Sequence, residues 1–285
     1  MKFKFLSVIL FFSLNQLFSQ SISDALKLMD MEQYGNAEKA FKSIVEKNAS
    51  AENYFYLGDY YLKTMYLDTL NTEGNIALAK ENFVKGKNID TKYALNFVGL
   101  GSVKYLQNSW DSSLVYFEQA TKMTRNKNAM VFYKIGESYL YKGIKDAQLA
   151  VPQLEKAQSL DAKNTNIILA LGDAYLFVDK GNGTRAKKQY DMALNVNSKL
   201  AKAHIKAGKI YMQARSPQEA LKYYDKAVEV DPDYSPSYRE RAELYFKYPK
   251  YREQAPAEYK KYLSLSDGNY KSKSRYAYFL FTVQD

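Results

Sequence analysis

Residues 201–232 decide the fold, and they read Ala-Lys-Ala-His-Ile-Lys-Ala-Gly-Lys-Ile-Tyr-Met-Gln-Ala-Arg-Ser-Pro-Gln-Glu-Ala-Leu-Lys-Tyr-Tyr-Asp-Lys-Ala-Val-Glu-Val-Asp-Pro. Apolar and small residues recur every three to four positions on both sides of a break, which is typical of two amphipathic helices. Ser216 and Pro217 mark the break, because serine caps a helix and proline fits its first turn. Pro232 ends the second helix, since proline cannot continue one. The stretch therefore predicts a helical hairpin.

Small residues lie on the facing stripes of the two predicted helices. Gly208 is on the first helix, and Ala220 and Ala227 are on the second. Small side chains let two helix backbones approach each other, and large ones such as Tyr211 and Tyr224 fill the spaces beside them. We therefore expect the two helices to pack closely against each other.

This hairpin resembles one tetratricopeptide repeat, a helix-turn-helix unit of about 34 residues with the pattern W-x₂-L-G-x₂-Y, A-x₃-F and P. His204 stands where the pattern has Trp, and Ala207 stands where it has Leu. The positions that fit the pattern are Gly208, Tyr211, Ala220, Tyr224, Ala227 and Pro232.

The same spacing recurs along most of the chain and predicts an all-α fold. The resemblance implies a tetratricopeptide-repeat α-solenoid, a right-handed superhelix of about seven helical hairpins whose first helices line a concave groove. The predicted units lie near residues 22–49, 51–91, 94–125, 129–162, 165–198, 201–232 and 235–262, and a C-terminal helix follows at 270–283.

Three places depart from the regular pattern. The second unit has extra residues at 65–75, for which we expect a lengthened helix end and a loop. The seventh unit has Arg241 where the pattern has a large apolar residue and Tyr262 where it has a small one, so we expect looser packing there. The final helix is rich in aromatic residues, and we expect that it covers the seventh unit or that the protein continues beyond it.

Residues 1–19 have the pattern of a secretory signal peptide. Lys2 and Lys4 precede a mostly apolar run from Phe5 to Phe12, and we expect cleavage after Ser19 or Gln20. The apolar run is too short to span a bilayer comfortably, although a retained anchor is the alternative. We therefore expect an exported protein, in the periplasm or associated with the outer membrane.

Composition excludes several kinds of chemistry. The chain has no cysteine, which rules out disulfides, thiolate metal sites and a cysteine nucleophile. Its one histidine, His204, occupies a packing position of the repeat, and no metal-ligand spacing, nucleophile motif or phosphate-binding motif occurs. We expect no cofactor and no catalytic activity.

Positive charge is concentrated at the C-terminal end. Residues 181–285 contain 20 basic and 12 acidic residues, whereas residues 20–180 contain 19 of each. The excess favours an acidic partner, such as an acidic protein, an anionic lipid or a polysaccharide, and a solvated lysine-rich surface is the alternative. Export disfavours nucleic acid.

The resemblance implies which residues line the groove, one position after each packing residue of a first helix. The predicted lining is acidic in the early units and basic in the later ones, and about half of its aromatic residues pack between repeats in the alternative interpretation. The lysine and asparagine pair with which one subfamily grips chaperone tails is missing. The candidate partner-binding residues are Phe55, Asp59, Tyr105, Tyr133, Glu137, Leu169, Asp173, Lys202, Ile205, Lys209 and Arg239.

Two functions follow as hypotheses. The first is a non-catalytic scaffold that binds a partner protein or peptide in its groove, within the cell envelope. The second is a module that binds envelope polysaccharide or anionic lipid through the basic C-terminal half. In either case we expect contact with a membrane only through a partner or a basic patch.

Overall fold

The structure is a computed structural model that describes residues 21–67, 71–179, 183–268 and 270–282. The predicted signal peptide, residues 1–19, lies outside the described residues. Within the described part of the chain, no helix is long and apolar enough to cross a membrane.

The described residues form α-helices joined by short turns. Two short 3₁₀ turns lie at Gly143–Asp146 and Pro249–Gln254. The helices are α1 (Ile22–Asp30), α2 (Tyr34–Lys47), α3 (Ala51–Thr64), α4 (Thr72–Ile89), α5 (Ala94–Leu106), α6 (Trp110–Met123), α7 (Ala129–Leu140), α8 (Ala147–Leu160), α9 (Thr165–Val178), α10 (Thr184–Val196), α11 (Ala201–Gln213), α12 (Pro217–Val230), α13 (Ser235–Lys247), α14 (Ala255–Leu265) and α15 (Tyr270–Thr282).

Consecutive helices pack as hairpins, from α1 with α2 to α13 with α14. Each second helix also packs against the first helix of the next hairpin, as α8 does against α9. Inner first helices such as α5 and α9 are buried on several sides, because both neighbouring hairpins cover them, whereas a second helix such as α12 buries one face. The prediction of an all-α tetratricopeptide-repeat solenoid is confirmed.

Close packing within a hairpin depends on the small residues that the sequence places there. A Cβ atom on Gly208 would lie 2.5 Å from the ring of Tyr224 and 3.2 Å from the carbonyl oxygen of Ala220. Ala220 and Ala227 are fully buried on the facing helix. The glycine is therefore required because the tyrosine ring occupies the space of its missing side chain.

Three of the turns inside hairpins share one backbone geometry. Glu32, Asn108 and Arg215 each adopt a positive φ, at 57°, 61° and 56° respectively. The residue that follows donates its backbone N–H to a carbonyl five residues earlier, as Gln33 does to Leu28 at 2.9 Å. This is the left-handed helix end that satisfies the last free carbonyls of the first helix.

The second and the seventh hairpins depart from the regular repeat pattern. In the second hairpin α4 has 18 residues and begins at Thr72, so part of the extra length is helical; residues 68–70 lie outside the described residues. In the seventh, Arg241 donates from Nε to Glu258 at 2.9 Å, and Tyr262 is only 1% exposed. The loose packing expected at these two residues is not seen.

The final helix packs on the seventh hairpin. Phe279 is buried, with its ring centroid 5.0 Å from that of Tyr259 and 5.2 Å from that of Phe246. Tyr278 and Phe281, on the same helix, are exposed to solvent. In the structure α15 therefore covers part of the last hairpin.

The first hairpin meets the last ones, so the solenoid closes on itself. The side-chain amide of Gln33 donates to the carbonyl oxygen of Leu265 at 2.8 Å, although the two residues are 232 positions apart. The backbone N–H of Gly35 donates to Asp267 in the same region. The first helices thus surround a central space.

Candidate partner-binding groove

The central groove contains a half-open cavity of about 520 Å³. First helices supply most of its lining, as the resemblance implies, and six tyrosines are among the lining residues. The lining comprises Leu26, Met29, Asp30, Glu32, Tyr34, Tyr56, Lys63, Tyr66, Met130, Tyr133, Lys134, Glu137, Tyr141, Asn166, Lys202, Ile205, Lys206, Lys209, Tyr234, Pro236 and Arg239.

One wall of the groove carries a cluster of charges between α3 and α7. The Lys134 ammonium lies 2.8 Å from Asp59 Oδ2 and 2.7 Å from Glu137 Oε2. Lys63 lies 3.4 Å from Asp59 and 3.2 Å from Glu137, and the Tyr133 hydroxyl donates to Glu137 at 2.7 Å. Two carboxylates and two ammonium groups therefore neutralise one another, which burial requires.

Titration in this cluster is shifted by burial and by charge together. Burial alone would raise the pKa of Glu137, but the charges of Lys134 and Lys63 and the hydrogen bonds from Lys134 and Tyr133 hold that pKa well below its usual value. Burial raises the pKa of the Tyr133 hydroxyl, and the Glu137 charge raises it further. Near neutral pH the carboxylate is ionised and the phenol is protonated.

Helix α11 presents lysines to the groove that are paired with carboxylates of neighbouring helices. The Lys206 ammonium lies 2.7 Å from both oxygens of Asp173, which also accepts a hydrogen bond from Tyr190 at 2.8 Å. Lys209 lies 2.8 Å from Glu240. These lysine side chains are partly exposed, so the ion pairs hold them in place while they remain accessible from the groove.

Where the ends of the solenoid meet, the first hairpin supplies carboxylates to cations of α11 and α13. Lys202 lies 2.7 Å from Asp30, and Arg239 Nη2 lies 2.9 Å from Glu32. The Tyr262 hydroxyl donates to the same Glu32 at 2.6 Å. Burial would lower the pKa of Arg239, but the surrounding glutamates raise it.

The structure divides the candidate residues predicted from the sequence into two groups. The first group is buried, and in this conformation its members pack between helices: Phe55, Asp59, Tyr105, Tyr133, Leu169 and Ile205. The second group is partly exposed: Glu137, Asp173, Lys202, Lys209 and Arg239. Five of the candidates do not line the cavity: Phe55, Asp59, Tyr105, Leu169 and Asp173. The Tyr105 hydroxyl donates to Asp146 instead. A role in partner binding stays a prediction for both groups.

The sequence rule, which selects one position after each packing residue of a first helix, did not predict several groove residues. Lys63 follows Asp59 by four residues and Lys134 precedes Glu137 by three, and these spacings put opposite charges on one helical face. Tyr66, which is 51% exposed, follows the end of α3, where a helix pattern gives no signal.

The single histidine of the chain lies in a packed position. His204 is buried, and its Nε2 lies 2.9 Å from the carbonyl oxygen of Ser198. No group of three or more potential metal ligands occurs among the residues that the structure describes. Pairing of Lys202, Lys206 and Lys209 with carboxylates also leaves the polysaccharide or lipid hypothesis without a supporting observation.

The family model described as tetratricopeptide repeat matches residues 201–234. The chain has the fold of a tetratricopeptide-repeat solenoid. The match covers the hairpin of α11 and α12, and it supports the resemblance. No curated protein matches the sequence.

Several solved structures, one of them a tetratricopeptide-repeat protein, are similar to most of the chain. TTC0263, a protein of Thermus thermophilus, has a TM-score of 0.53 at 22% identity, over 66% of this chain and 99% of that one. Pseudomonas aeruginosa pilF has a TM-score of 0.51 at 21% identity, over 81% and 97%. A chain of the APC/C hetero-tetramer Cut9-Hcn1 has a TM-score of 0.53 at 15% identity, over 94% of this chain and 57% of that one.

Proposed function

We propose that this protein is a non-catalytic scaffold that binds a segment of a partner protein in its central groove. The fold supports the proposal, because stacked helical hairpins form extended concave surfaces that proteins use for binding. The family match and the similar structures suggest the same general role in protein–protein interaction.

The lining of the groove is the observation that carries the proposal. It combines six tyrosines with paired charges in a cavity of about 520 Å³. Tyrosine gives a rigid apolar face and a hydroxyl group, and it is enriched where proteins bind one another. Such a lining suits an extended peptide segment, whose backbone offers both hydrogen-bond donors and acceptors.

The location that we propose is the bacterial cell envelope. The support is the pattern of residues 1–19, in which Lys2 and Lys4 precede an apolar run. Mass spectrometry of the mature protein tests this proposal. We expect an N-terminus at Gln20 or Ser21, whereas a mature chain that starts at Met1 would contradict cleavage.

Partner binding is tested by in-cell crosslinking, affinity purification and mass spectrometry. Tyr66→Ala is the informative variant, because Tyr66 lines the groove and is 51% exposed, so its loss disturbs the core little. Tyr278→Ala is the matched control, since that tyrosine is 66% exposed on α15, away from the groove.

We expect a specific protein to be recovered with the parent and with Tyr278→Ala, and recovered at least fivefold less with Tyr66→Ala. Equal recovery with both variants would show that the groove is not the binding surface. Recovery of no specific protein would contradict the scaffold proposal itself.

A further inference from the structure

The turn between α1 and α2 is bound by the last two hairpins as an acidic peptide would be. We call residues 30–33, Asp-Met-Glu-Gln, the acidic turn. Asp30 pairs with Lys202 at 2.7 Å, and Glu32 pairs with Arg239 at 2.9 Å. The two carboxylates thus engage two cations on different helices, α11 and α13.

The apolar and backbone groups of the acidic turn are also recognised. Met31 packs against the apolar cluster of the last hairpins, which includes Ala201 and Tyr234. The Met31 carbonyl oxygen accepts a hydrogen bond from the Ser235 hydroxyl. Glu32 accepts a second hydrogen bond, from Tyr262, so each of these three positions in the turn meets a fitting group.

Tyr262 is the residue that departs from the repeat pattern at this place. A small residue there would leave no hydroxyl to reach Glu32, whereas the tyrosine is buried and donates to it at 2.6 Å. Arg239, the other donor to Glu32, has a side chain that is only 12% exposed. Glu240, on the same helix, lies 2.7 Å from its other terminal nitrogen, and Glu32 adds a second carboxylate to this largely buried guanidinium. A carboxylate at this place is therefore favoured over a neutral group, which would leave part of the buried charge unpaired.

The closure is made by this short turn and by the start of α2, where the Gly35 N–H donates to Asp267. Among the described helices, neither α1 nor α2 packs along a helix of the last two hairpins. The outer ion pair is open to water, with Asp30 47% and Lys202 33% exposed, and such pairs contribute little. A small polar contact of this kind opens more easily than the packed interface between neighbouring hairpins.

We infer that the surface formed by Lys202, Ser235, Arg239 and Tyr262 binds an acidic segment of the partner protein, and that the acidic turn occupies this surface until the partner displaces it. The segment that fits has an acidic, an apolar and an acidic residue in succession. The inference rests on the proposed scaffold function and assigns the chemistry of its partner. Displacement of the turn opens the solenoid and gives the partner access to the groove.

The test measures binding of a fluorescent peptide by anisotropy. The probe is a synthetic peptide of residues 27–36, Lys-Leu-Met-Asp-Met-Glu-Gln-Tyr-Gly-Asn, and the protein is the full mature chain with Asp30→Asn and Glu32→Gln. We expect the peptide to bind this double variant at least tenfold more tightly than the parent, because the variant's own turn no longer competes. A peptide with Asn and Gln at the two acidic positions should bind at least fivefold more weakly.

Two further variants make the result specific. Adding Arg239→Gln to the double variant should weaken peptide binding at least fivefold, because Arg239 holds the central carboxylate. Glu81→Gln with Glu219→Gln is the matched control, since both glutamates form exposed ion pairs elsewhere. The control should bind the peptide no better than the parent does. Asp30→Asn alone keeps the Glu32 contacts and should give an intermediate affinity if the double variant folds poorly.

Equal affinity of the parent and the double variant, or of the acidic and the neutral peptide, would overturn the inference. Light scattering, which measures the molar mass in solution, tests whether a second copy of the chain occupies the surface instead. A double variant that remains monomeric fits the inference, whereas a parent chain that forms head-to-tail oligomers would assign the surface to a second copy. The Tyr66→Ala experiment is independent of these results, so failure of the peptide test leaves the scaffold proposal standing.

Discussion

Glu137 shows how single residues stabilise the groove wall. Its carboxylate is within 3.2 Å of two lysines and accepts a hydrogen bond from Tyr133. Because its pKa is lower in the folded protein than in the unfolded chain, the unfolded chain binds a proton more readily as the pH falls. Its contribution to stability is therefore complete above the ordinary carboxyl pKa of 4.5 and declines as the pH falls below that value.

We therefore expect Glu137→Gln to reduce the pH dependence of stability in acid. Urea unfolding at pH 7, 5 and 3 should show the parent losing stability towards pH 3, by up to about 1.4 kcal/mol per pH unit more than the variant. At pH 7 the variant should be less stable by about 3 kcal/mol, since Lys134 and Lys63 lose a buried partner.

The control for this prediction is Glu118→Gln, whose carboxylate forms an exposed ion pair with Lys122. Its stability should stay within about 0.5 kcal/mol of the parent at each pH. A constant difference between Glu137→Gln and the parent from pH 7 to pH 3 would contradict the assigned pKa shift.

At the scale of elements, two turns have the same backbone and different partners. Glu32 and Arg215 both have a positive φ, in the α1–α2 and α11–α12 turns. A side chain costs energy in this conformation, and glycine avoids that cost. Glu32 is bound by Arg239 and Tyr262, whereas Arg215 is exposed. A substitution at Arg215 therefore reports the cost of the backbone conformation, and a substitution at Glu32 also reports the loss of the contact that closes the solenoid.

We expect Arg215→Gly to stabilise the protein by about 0.5–1 kcal/mol, because it relieves the left-handed turn. Glu32→Gly should destabilise it by about 1–3 kcal/mol, since the loss of the carboxylate leaves the largely buried Arg239 without one of its anionic partners. Urea unfolding of both variants at pH 7 checks this, and a stabilising Glu32→Gly would show that the ion pair contributes nothing to the closed state.

The hairpins themselves were predictable from the sequence, because the contacts within a hairpin join residues that are close in sequence. Gly208 faces Tyr224 within one hairpin, and a spacing of three to four residues is enough to indicate that contact. The groove lining was harder to predict. Leu169 and Glu137 follow the same rule, yet one is buried and the other borders the cavity, because burial depends on how the neighbouring hairpin sits.

At the scale of the whole molecule, closure of the solenoid was not predictable. It depends on small rotations between successive hairpins that add up along the chain, and no local pattern reports their sum. Tyr262 departs from the repeat pattern at a residue that takes part in the closure. A large residue at a small-residue position was interpreted as loose packing, but in the structure its hydroxyl donates to Glu32. No sequence pattern indicated the contact between Gln33 and Leu265.

The most direct test of the closed solenoid is a distance between its two ends measured by pulsed electron paramagnetic resonance. The chain has no cysteine, so Lys39→Cys on α2 and Lys260→Cys on α14 give two unique spin-label sites, both exposed. We expect one short, narrow distance distribution in the parent, which becomes longer and broader with Asp30→Asn and Glu32→Gln. A long, broad distribution in the parent, unchanged by those substitutions, would show that the ends do not meet and would contradict the account.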